Sequence, residues 1–331
     1  MRTVLVSGGA GFIGSNFVRY FLDAVPDAAL LNVDALSYAG NLNNLEGMRE
    51  GPRYRFERAD IADRAAMETL FGRYDVKAVV NLAAESHVDR SIEDPGAFVR
   101  TNVLGAQVLL DCALRRWRLD RDDPRCREYA DGVKFLQVST DEVYGSLGPH
   151  GLFTEDSPLA PCNPYAATKA AADHLALAYG HTYGLPVCVT RSGNNYGPYQ
   201  HGEKFIPRMI ASALRGEALP LYGDGLQVRD WVHVGDHCAA LGAVLARGRP
   251  GLVYNVGAGC EKTNAELAAA ILSQLGLPSD RVEHVPDRPG HDRRYAMDAS
   301  RLRTELGWSP RVSFDECLRE TVAWYAGRAG A

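Results

Sequence analysis

The stretch VLVSGGAGFIGSNFVRYFL, residues 4–22, decides the fold of this 331-residue chain. It reads as an apolar strand, a turn with a glycine at every third position, and a helix with one apolar side. Gly8 suits a tight turn, Gly11 lets a backbone approach a pyrophosphate closely, and Gly14 allows the helix to pack closely on the strand. Because a helix N-terminus offers free N–H groups to phosphates, the stretch predicts a dinucleotide-binding turn.

An acidic residue narrows the choice of dinucleotide. The next strand-like run ends in Asp34, twenty residues beyond Gly14. A carboxylate at this place accepts the ribose hydroxyls of NAD and repels the extra phosphate of NADP. We therefore predict NAD as the cofactor.

Strand-like and helix-like runs alternate through the first half of the chain. The strand-like runs are Thr3–Ser7, Leu30–Asp34, Tyr54–Glu57, Val76–Leu82, Val133–Ser139 and Val187–Arg191. The helix-like runs are Gly14–Leu22, Arg64–Phe71, Phe98–Leu114 and Tyr165–Tyr183. This alternation predicts an α/β fold, a Rossmann-type doubly wound parallel sheet with helices on both faces.

The pattern loosens after Gly193, with Pro- and Gly-rich turns and short elements. We predict an NAD-binding domain over 1–192 and a smaller, mixed α/β substrate lobe over 193–331, partly interleaved with the first domain. The helix-like run Ala265–Leu275 suggests that the lobe has a small core of its own. The Arg- and Asp-rich segment 115–131 is interpreted as a solvated loop.

Composition excludes several classes of protein. The chain is 46% hydrophobic and 23% charged, with a net charge of −5 and a pI near 6.0, so nothing favours nucleic-acid binding. We find no apolar run long enough to span a bilayer and no signal peptide, so we expect no membrane contact and a cytoplasmic location. Seven scattered cysteines without a C-x-x-C pair argue against disulfides and zinc, and no histidine spacing suggests another metal.

Tyr165 and Lys169 lie four residues apart at the start of a predicted helix, so their side chains share one face. A free phenol has a pKa of about 10, which makes it a poor base at neutral pH. An ammonium about 4 Å away, helped by a positive nicotinamide ring, would bring that pKa near 7. Tyr165 could then take a proton from a sugar hydroxyl while the same carbon passes hydride to NAD.

Two adjacent acids, Asp141 and Glu142, follow Ser139 and Thr140 at the carboxyl end of a predicted strand, where α/β sheets bind ligands. Hydride transfer alone needs a tyrosine and a Ser/Thr, and it does not require two carboxylates. Elimination of water needs a base for the C–H and an acid for the leaving hydroxyl. The pair therefore favours a dehydration.

Several strings place these residues in a family context. AAESHVDRS (83–91), STDEVYG (139–145), NNYGPYQH (194–201), LPLYGDG (219–225) and RPGHD (288–292) resemble the dTDP-glucose 4,6-dehydratase family. The glycine spacing and NLAA (81–84) resemble the extended short-chain dehydrogenase/reductase superfamily that contains it. The matches run in order over nearly the whole chain.

The resemblance implies roles for individual residues. The catalytic ones are Thr140, Asp141, Glu142, Tyr165 and Lys169. Those expected to bind NAD are Gly8, Gly11, Phe12, Ile13, Gly14, Asp34, Ser37, Asp60, Ile61, Leu82, Ala83, Ala84, Ser86, Thr101, Ser139, Tyr165, Lys169 and Asn195. Those expected to bind the nucleotide sugar are Ser86, His87, Thr140, Asp141, Glu142, Asn194, Lys204, Phe205, Pro220, Leu221, Tyr222, Arg229, Asn264, Arg288 and His291. Arg229 and Arg288 suit a buried diphosphate, because a guanidinium binds it through two bonds.

The implied reaction is redox-neutral on a retained NAD. Tyr165 deprotonates the 4-hydroxyl, C4 gives up hydride, Glu142 takes the C5 proton and Asp141 protonates the leaving 6-hydroxyl. Hydride then returns to C6 and a proton to C5, which gives a 4-keto-6-deoxy sugar nucleotide. A homodimer is also implied, with the predicted helices Phe98–Leu114 and Tyr165–Tyr183 pairing with their mates.

Alternatives stay open. A GDP- or CDP-linked hexose would need the same chemistry, and an epimerase or decarboxylase of the same fold would not need Asp141. A regulator without turnover is disfavoured by the intact catalytic set. The run 190–193, Thr168, Gly202, Phe205 and Gly235 depart from the family pattern and leave the nucleobase preference open. The sequence does not indicate whether a cell-wall or a secondary-metabolite pathway uses the product.

Overall fold

A parallel sheet of seven strands forms the centre of the computed structural model, which describes residues 2–287, 292–311 and 313–329. Its strands are β1 (Arg2–Ser7), β2 (Ala28–Asp34), β3 (Tyr54–Arg58), β4 (Val76–Asn81), β5 (Lys134–Thr140), β6 (Val187–Ser192) and β10 (Val253–Val256). They lie in the order β10-β6-β5-β4-β1-β2-β3. The chain thus winds outward in both directions from β1 and β4, and a ligand crevice is expected at the carboxyl ends of these two strands.

Helices cover both faces of this sheet, because its strands are apolar on both sides. On one face pack α1 (Phe12–Ala24), α8 (Val234–Arg247) and α10 (Ser300–Leu306). On the other face pack α2 (Arg64–Arg73), α5 (Ala106–Trp117) and α6 (Pro164–Tyr183). The predicted doubly wound α/β fold is confirmed.

The helix predicted over Phe98–Leu114 is less regular than expected. Two short helices, α3 (Val88–Glu93) and α4 (Pro95–Phe98), lead into a π-helical segment (Val99–Gly105) that continues as α5. Within the segment, Asn102 bonds both backbone groups of Glu85 and also donates to the Thr168 hydroxyl. The wider turn therefore ties the helix to the loop after β4, as π-turns near functional sites commonly do.

The run Pro95–Trp117 also bears on the membrane prediction. Its 23 helical residues are long and apolar enough to cross a bilayer by length and composition alone, so our statement that no apolar run has the necessary length was wrong. Half of its most apolar window is buried inside the molecule, however, where α5 packs against α2 and α6. That is the behaviour of a core helix.

A second, smaller assembly follows β6. It contains a three-stranded sheet of β7 (Asn194–Tyr196), β9 (Val228–His233) and β11 (Glu261–Thr263), and a parallel pair of β8 (Leu219–Tyr222) and β12 (Val282–Val285). Three helices share an apolar core with these strands: α7 (Phe205–Leu214), α9 (Asn264–Gln274) and α11 (Phe314–Ala329). The predicted helix over Ala265–Leu275 corresponds to α9.

Elements of the second half also return to the first. We had assigned the residues after Gly193 mainly to the smaller lobe, but α8, α10 and β10 belong to the central sheet assembly. Segment 115–131 begins as the last turn of α5 and is otherwise a mostly exposed loop, held by a bridge between Arg118 and Tyr129.

Candidate active site

A cavity of about 570 Å³ opens at the carboxyl ends of β1, β2 and β4. The glycine turn forms its floor. Gly8 has a φ of +73°, and a Cβ there would lie 2.7 Å from the backbone of Ala83, so only glycine fits. A Cβ on Gly14 would lie 2.1 Å from the Gly8 carbonyl oxygen, whereas one on Gly11 would approach nothing closer than 3.2 Å. Gly8 and Gly14 thus serve the fold, and Gly11 leaves room for a ligand.

The residues predicted to bind the cofactor line this cavity, with Asn195 as the exception. The amide nitrogen of Asn195 instead donates to Ser192 and to Gly193, and its oxygen lies 2.8 Å from His237 Nδ1. Asn195 therefore fastens the turn between β6 and β7 beneath the cleft. Because Asn195 does not line the cavity, the structure gives no support to its predicted contact with NAD.

Asp34 ends β2 at the edge of the cavity and is nearly buried. Its two carboxylate oxygens each accept one backbone N–H, from Ala10 and from Leu36, at 2.8 Å. Burial raises the pKa of this carboxyl and the two backbone bonds lower it. Each oxygen keeps further lone pairs toward the cleft, as a partner for ribose hydroxyls would need.

Tyr165 and Lys169 are placed by the start of α6. The side chain of Asn163 accepts from Ala166 N at 2.8 Å, and Pro164 occupies the first turn, so the helix begins at a fixed residue. Both side chains line the cavity and are largely buried. They share one helix face, as the spacing predicted.

The predicted lowering of the Tyr165 pKa depends on the nicotinamide charge as well as on Lys169, and the groups of the protein alone do not produce it. Lys169 Nζ donates to the Val138 carbonyl oxygen at 2.6 Å, and burial lowers the pKa of Lys169 to about 8. The pKa of Tyr165 is raised rather than lowered, because burial and the nearby Glu142 disfavour the phenolate, while the hydroxyl of Thr140 opposes them. Lys169 by itself does not make the phenol a base.

The acidic pair lies beside the phenol. β5 ends at Thr140, whose hydroxyl caps a 3-10 turn over Asp141–Tyr144 by accepting from Glu142 N at 3.3 Å. The same hydroxyl donates to Asp141 Oδ1 at 3.2 Å. Both carboxyls act electrostatically on Tyr165, so the residues at 140, 141, 142 and 165 share one site.

The two carboxyls have different surroundings. Asp141 is 2% exposed, and its Oδ2 has no hydrogen-bond partner among the described residues. Burial first, and then Glu142, hold its pKa well above the ordinary value, although Arg229 opposes them. Glu142 is only partly buried and accepts from Asn163 Nδ2 at 3.1 Å. Asp141 is therefore suited to hold a proton, and Glu142 is reachable from the cleft.

Arg229 lies on β9 with its guanidinium carbon 4.4 Å from the ring centre of Tyr295. Its side chain donates to the carbonyl oxygens of Val228 and Asp292. These contacts bury Arg229 next to Asp141. Part of the guanidinium that we expect to bind a diphosphate therefore already binds backbone carbonyl oxygens. Arg288 and His291 lie outside the described residues.

The other predicted sugar-nucleotide residues are spread over the small lobe. Asn194 lies in β7, Pro220–Tyr222 form part of β8, and Asn264 begins α9 with its amide 3.5 Å from Gln227 Oε1. Leu221 is buried against Gly225, so its side chain packs in the lobe instead of facing the cleft. Phe205 begins α7 and contacts the ring of Trp231.

A group of contacts, here named the clasp, joins Tyr38, Ser86, His87, Glu203 and Lys204 across the mouth of the cavity. Glu203 accepts from the Tyr38 hydroxyl at 3.1 Å and lies 3.5 Å from His87 Nε2. Lys204 donates to the Ser86 carbonyl oxygen at 3.0 Å. The clasp links the loops after β2 and β4 to the segment before α7, so it closes the small lobe over the cleft.

Among the residues that the structure describes, no group of three or more His, Cys, Asp or Glu could hold a metal ion. The seven cysteines are free.

The chain is similar to known proteins over nearly its whole length. A family model described as GDP-mannose 4,6 dehydratase matches residues 5–321. A dTDP-glucose 4,6-dehydratase from Xanthomonas campestris pv. campestris (strain B100) is 52% identical over 335 residues, which cover 98% of this chain and 93% of that protein. This chain belongs to the dTDP-glucose 4,6-dehydratase family.

Solved members of the dTDP-glucose 4,6-dehydratase family share the whole fold. The enzyme from Bacillus anthracis (strain Ames), crystallised in complex with NAD, is 47% identical with a TM-score of 0.90, over 100% of this chain and 98% of that one. The enzyme from Streptomyces venezuelae, also with NAD bound, is 47% identical with a TM-score of 0.91, over 99% and 98%. The family resemblance drawn from the sequence motifs is confirmed.

One feature of this family member was missed by sequence reasoning. Asp173 lies in α6 four residues after Lys169 and is fully buried, where Arg191 Nε donates to it at 2.9 Å. Arg191 also donates to the Tyr144 hydroxyl, which in turn bonds Asn255. Asp173 favours the charged form of Lys169. The spacing of 165, 169 and 173 on one helix face was the available signal.

The rim of the cleft was also missed. Side chains from distant parts of the chain complete it, namely Tyr38, Tyr199, His201, Trp324 and Tyr325. Trp324 and Tyr325 come from α11, near the end of the chain. No local pattern in the sequence indicates that this helix reaches the cofactor cleft.

Proposed function

We propose that this protein is a dTDP-glucose 4,6-dehydratase, which converts dTDP-glucose to dTDP-4-keto-6-deoxyglucose and water. The observation that carries the proposal is the convergence of Thr140, Asp141 and Glu142 on Tyr165 at the carboxyl end of β5. A hydroxyl and two acids beside one phenol supply the acid and the base that an elimination requires. The full-length similarity to dTDP-glucose 4,6-dehydratases supports the same activity.

NAD is the cofactor, and it supplies an acceptor for the C4 hydride, a donor of that hydride to C6, and a positive ring charge that favours the phenolate. The cleft suits it: Gly11 leaves room for a pyrophosphate, and Asp34 stands at the ribose position. Ser139, Thr101 and Lys169 line the same space. We propose that the residues predicted for NAD from the motifs hold it there, apart from Asn195.

Each step on the sugar falls to one side chain. Tyr165 accepts the proton of the 4-hydroxyl, and the new C4 carbonyl then acidifies the C5–H bond. Glu142 takes the C5 proton and later returns it. Asp141 gives its proton to the 6-hydroxyl, which leaves as water. Asp141 suits this role because burial raises its pKa and so favours the protonated carboxyl, whereas Glu142 reaches the cleft.

The nucleotide-sugar lobe is proposed to be formed by 193–331 apart from α8, β10 and α10, which belong to the central sheet assembly, and to pack over an NAD-binding domain of 1–192. We propose that the space between the active site and this lobe, which would hold the sugar, is bordered by Ser86, His87, Asn194, Lys204, Phe205 and Arg229. Pro220, Tyr222, Asn264, Arg288 and His291 are proposed farther out, toward the nucleotide, on the strength of the motifs.

Two rival activities differ from this one in a measurable way. A dehydratase for a GDP- or CDP-linked hexose would use the same side chains on another nucleotide. An epimerase or decarboxylase would not need the proton of Asp141. The burial and high pKa of Asp141 favour a dehydratase, because a plain redox enzyme gains nothing from a protonated acid at this place.

The test is an incubation of the purified protein with dTDP-, UDP-, GDP- and CDP-hexoses without added NAD. We expect mass spectrometry to find loss of one water from the dTDP-glucose sample alone. Loss from another nucleotide sugar instead would select the first rival, and an isomer of unchanged mass would select an epimerase. Asp141→Asn should retain bound NAD yet slow the dehydration roughly 100-fold or more.

We also propose a homodimer. On α6, Ala167 and Ala178 are exposed, whereas Ala166 and Ala170 pack inside the fold. In the π-helical segment, which packs against α6, Val99 and Leu104 expose 52% and 43% of their surface. An exposed apolar face of this kind, with small side chains that permit close approach, suits pairing of two copies through these helices.

A cytoplasmic location is proposed as well. All seven cysteines are free, and Cys112, Cys188, Cys238 and Cys317 are buried. This use of cysteine is typical of a reducing compartment.

A further inference from the structure

After each turnover of the proposed function, on which this inference rests, the acid and the base must return to their starting protonation states. Over one turnover the 4-hydroxyl proton ends on Tyr165, and Asp141 loses its proton to the departing water. Glu142 returns to C5 the proton that it took. At the end, Tyr165 carries one proton too many and Asp141 one too few. The next turnover therefore requires the transfer of one proton from Tyr165 to Asp141.

One hydroxyl, that of Thr140, interacts with both of these groups. Thr140 Oγ1 donates to Asp141 Oδ1 at 3.2 Å and also interacts with the Tyr165 phenol. The N–H of Glu142 donates to the same oxygen at 3.3 Å and so fixes its place. A hydroxyl both donates and accepts, so it can receive a proton on one side while giving one up on the other.

Bulk solvent reaches neither end of this path easily. Asp141 is 2% exposed, and Thr140 and Tyr165 are each 9% exposed. The other ionisable groups that act on Asp141 are Glu142, Arg229 and Asp230. A guanidinium does not release its proton, Asp230 is itself buried, and Glu142 must give its proton back to C5.

We propose that the hydroxyl of Thr140 returns the proton from Tyr165 to Asp141 after each turnover. The Thr140 O–H bond breaks as its proton passes to Asp141 Oδ1. A new O–H bond forms as the Tyr165 phenol gives its proton to Thr140 Oγ1, which leaves a phenolate and a neutral carboxyl. No outside proton donor is required, and the charge in the site is conserved.

The experiment compares the first turnover with later ones in wild type, Thr140→Val and Thr140→Ser. Valine keeps the shape and removes the hydroxyl, whereas serine keeps the hydroxyl. The family resemblance also implies that Thr140 polarises the C4 carbonyl, so a slower first turnover in Thr140→Val is expected either way. The relay adds a loss that is confined to the turnovers after the first.

Rapid-quench measurements on NAD-loaded protein separate the two effects. For Thr140→Val we expect a burst of about one product per site, then a steady state roughly tenfold or more slower than the burst. Wild type and Thr140→Ser should show no such drop, which distinguishes the effect from slow product release. Added formic acid and formate should speed only the steady-state phase, because the acid can reprotonate Asp141 while its conjugate base accepts the extra proton of Tyr165.

A Thr140→Val protein that slows all turnovers equally, without a burst, would overturn the relay and leave Thr140 a polarising role alone. Bound NAD and the melting temperature of each variant establish that it is folded. If wild type removes no water from dTDP-glucose, the proposed function fails instead, so the two failures are distinct.

Discussion

Three side chains on one face of α6, those of Tyr165, Lys169 and Asp173, have different partners. Tyr165 faces the acids, Lys169 is anchored by the Val138 carbonyl, and Asp173 lies deepest, paired with Arg191. Burial pulls the pKa of Lys169 down to about 8, and Asp173 acts against that effect. Asp173 therefore favours the charged form of Lys169 without lining the cavity, and Arg191 opposes the burial that raises the pKa of Asp173.

The pH profile tests this arrangement. A charged Lys169 is fully present below about pH 8 and is lost as the pH rises through that value. Asp173→Asn removes the group that raises the pKa, so we expect the alkaline fall in kcat to move to lower pH. The same change leaves Arg191 buried and unpaired, which should cost about 3–5 kcal/mol of stability.

The double variant Asp173→Asn/Arg191→Met separates the two effects. It removes the orphaned charge, so the melting temperature should recover relative to the single variant. The alkaline fall in kcat should remain at the lower pH of the single variant. A return of the wild-type pH profile in the double variant would mean that Asp173 acts through stability alone.

At the scale of the element, the glycine turn between β1 and α1 serves two purposes. Gly8 and Gly14 are required by the protein itself, because a methyl group on either would meet backbone atoms. Gly11 is the N-cap of α1 with φ −78°, a conformation open to other residues, and a Cβ there has no close backbone neighbour below 3.2 Å. Fold and cofactor thus depend on different glycines of one motif.

Two alanine substitutions should separate these roles. Gly11→Ala is expected to change the free energy of unfolding by no more than about 1 kcal/mol, since it replaces a glycine N-cap. It should still weaken NAD binding roughly tenfold or more, because the methyl takes the space of the pyrophosphate. Gly14→Ala should destabilise the fold by about 1–3 kcal/mol or more. Urea unfolding measures the loss of stability, and the bound-NAD content measures the loss of NAD binding. If both variants lost NAD equally and were destabilised equally, the two glycines would not have separate roles.

At the scale of the whole molecule, the clasp ties the lobes together over the cofactor cleft. Glu203 binds Tyr38 and faces His87, so one carboxylate joins two loops of the first domain to the second lobe. A hydrogen bond to a charged group contributes about 1.5–3 kcal/mol when partly buried. Loss of this carboxylate should therefore open the cleft more often.

Glu203→Ala is expected to speed the release of bound NAD about tenfold, since about 1.4 kcal/mol corresponds to that factor. Dilution of the holoprotein into an NAD scavenger gives the release rate. Glu217→Ala is the matched control, because Glu217 is exposed outside the clasp, where Arg215 donates to its carboxylate. An unchanged release rate in Glu203→Ala would show that the clasp does not gate the cofactor.

The proposed dimer gives a further prediction at this scale. Leu104→Glu and Ala178→Glu each place a charge on the exposed helical face and should shift the protein from dimer to monomer in sedimentation velocity. Leu214→Glu, on an exposed position of α7, is the control and should leave the dimer intact. Dimers that persist in both test variants would move the interface elsewhere.

The sequence by itself determined the features that depend on local physics. Continuous apolar runs indicated the strands and one-sided apolar faces indicated the helices from β1 to β6, and the alternation of the two indicated a parallel sheet. Glycine geometry located the cofactor turn, and Asp34 followed from chain spacing. The order of Thr140, Asp141, Glu142, Tyr165 and Lys169 predicted the place of the proposed active site, because the ends of neighbouring parallel strands meet at one edge.

Only the tertiary structure decided what depends on partners far apart in the chain. Tyr38 meets Glu203 across 165 positions and Lys204 meets Ser86 across 118, and no local period encodes such pairs. The return of α8 and β10 to the central sheet is of the same kind. So are the high pKa of Asp141 and the partner of Lys169, because burial and electrostatic fields arise only when the elements pack around a side chain.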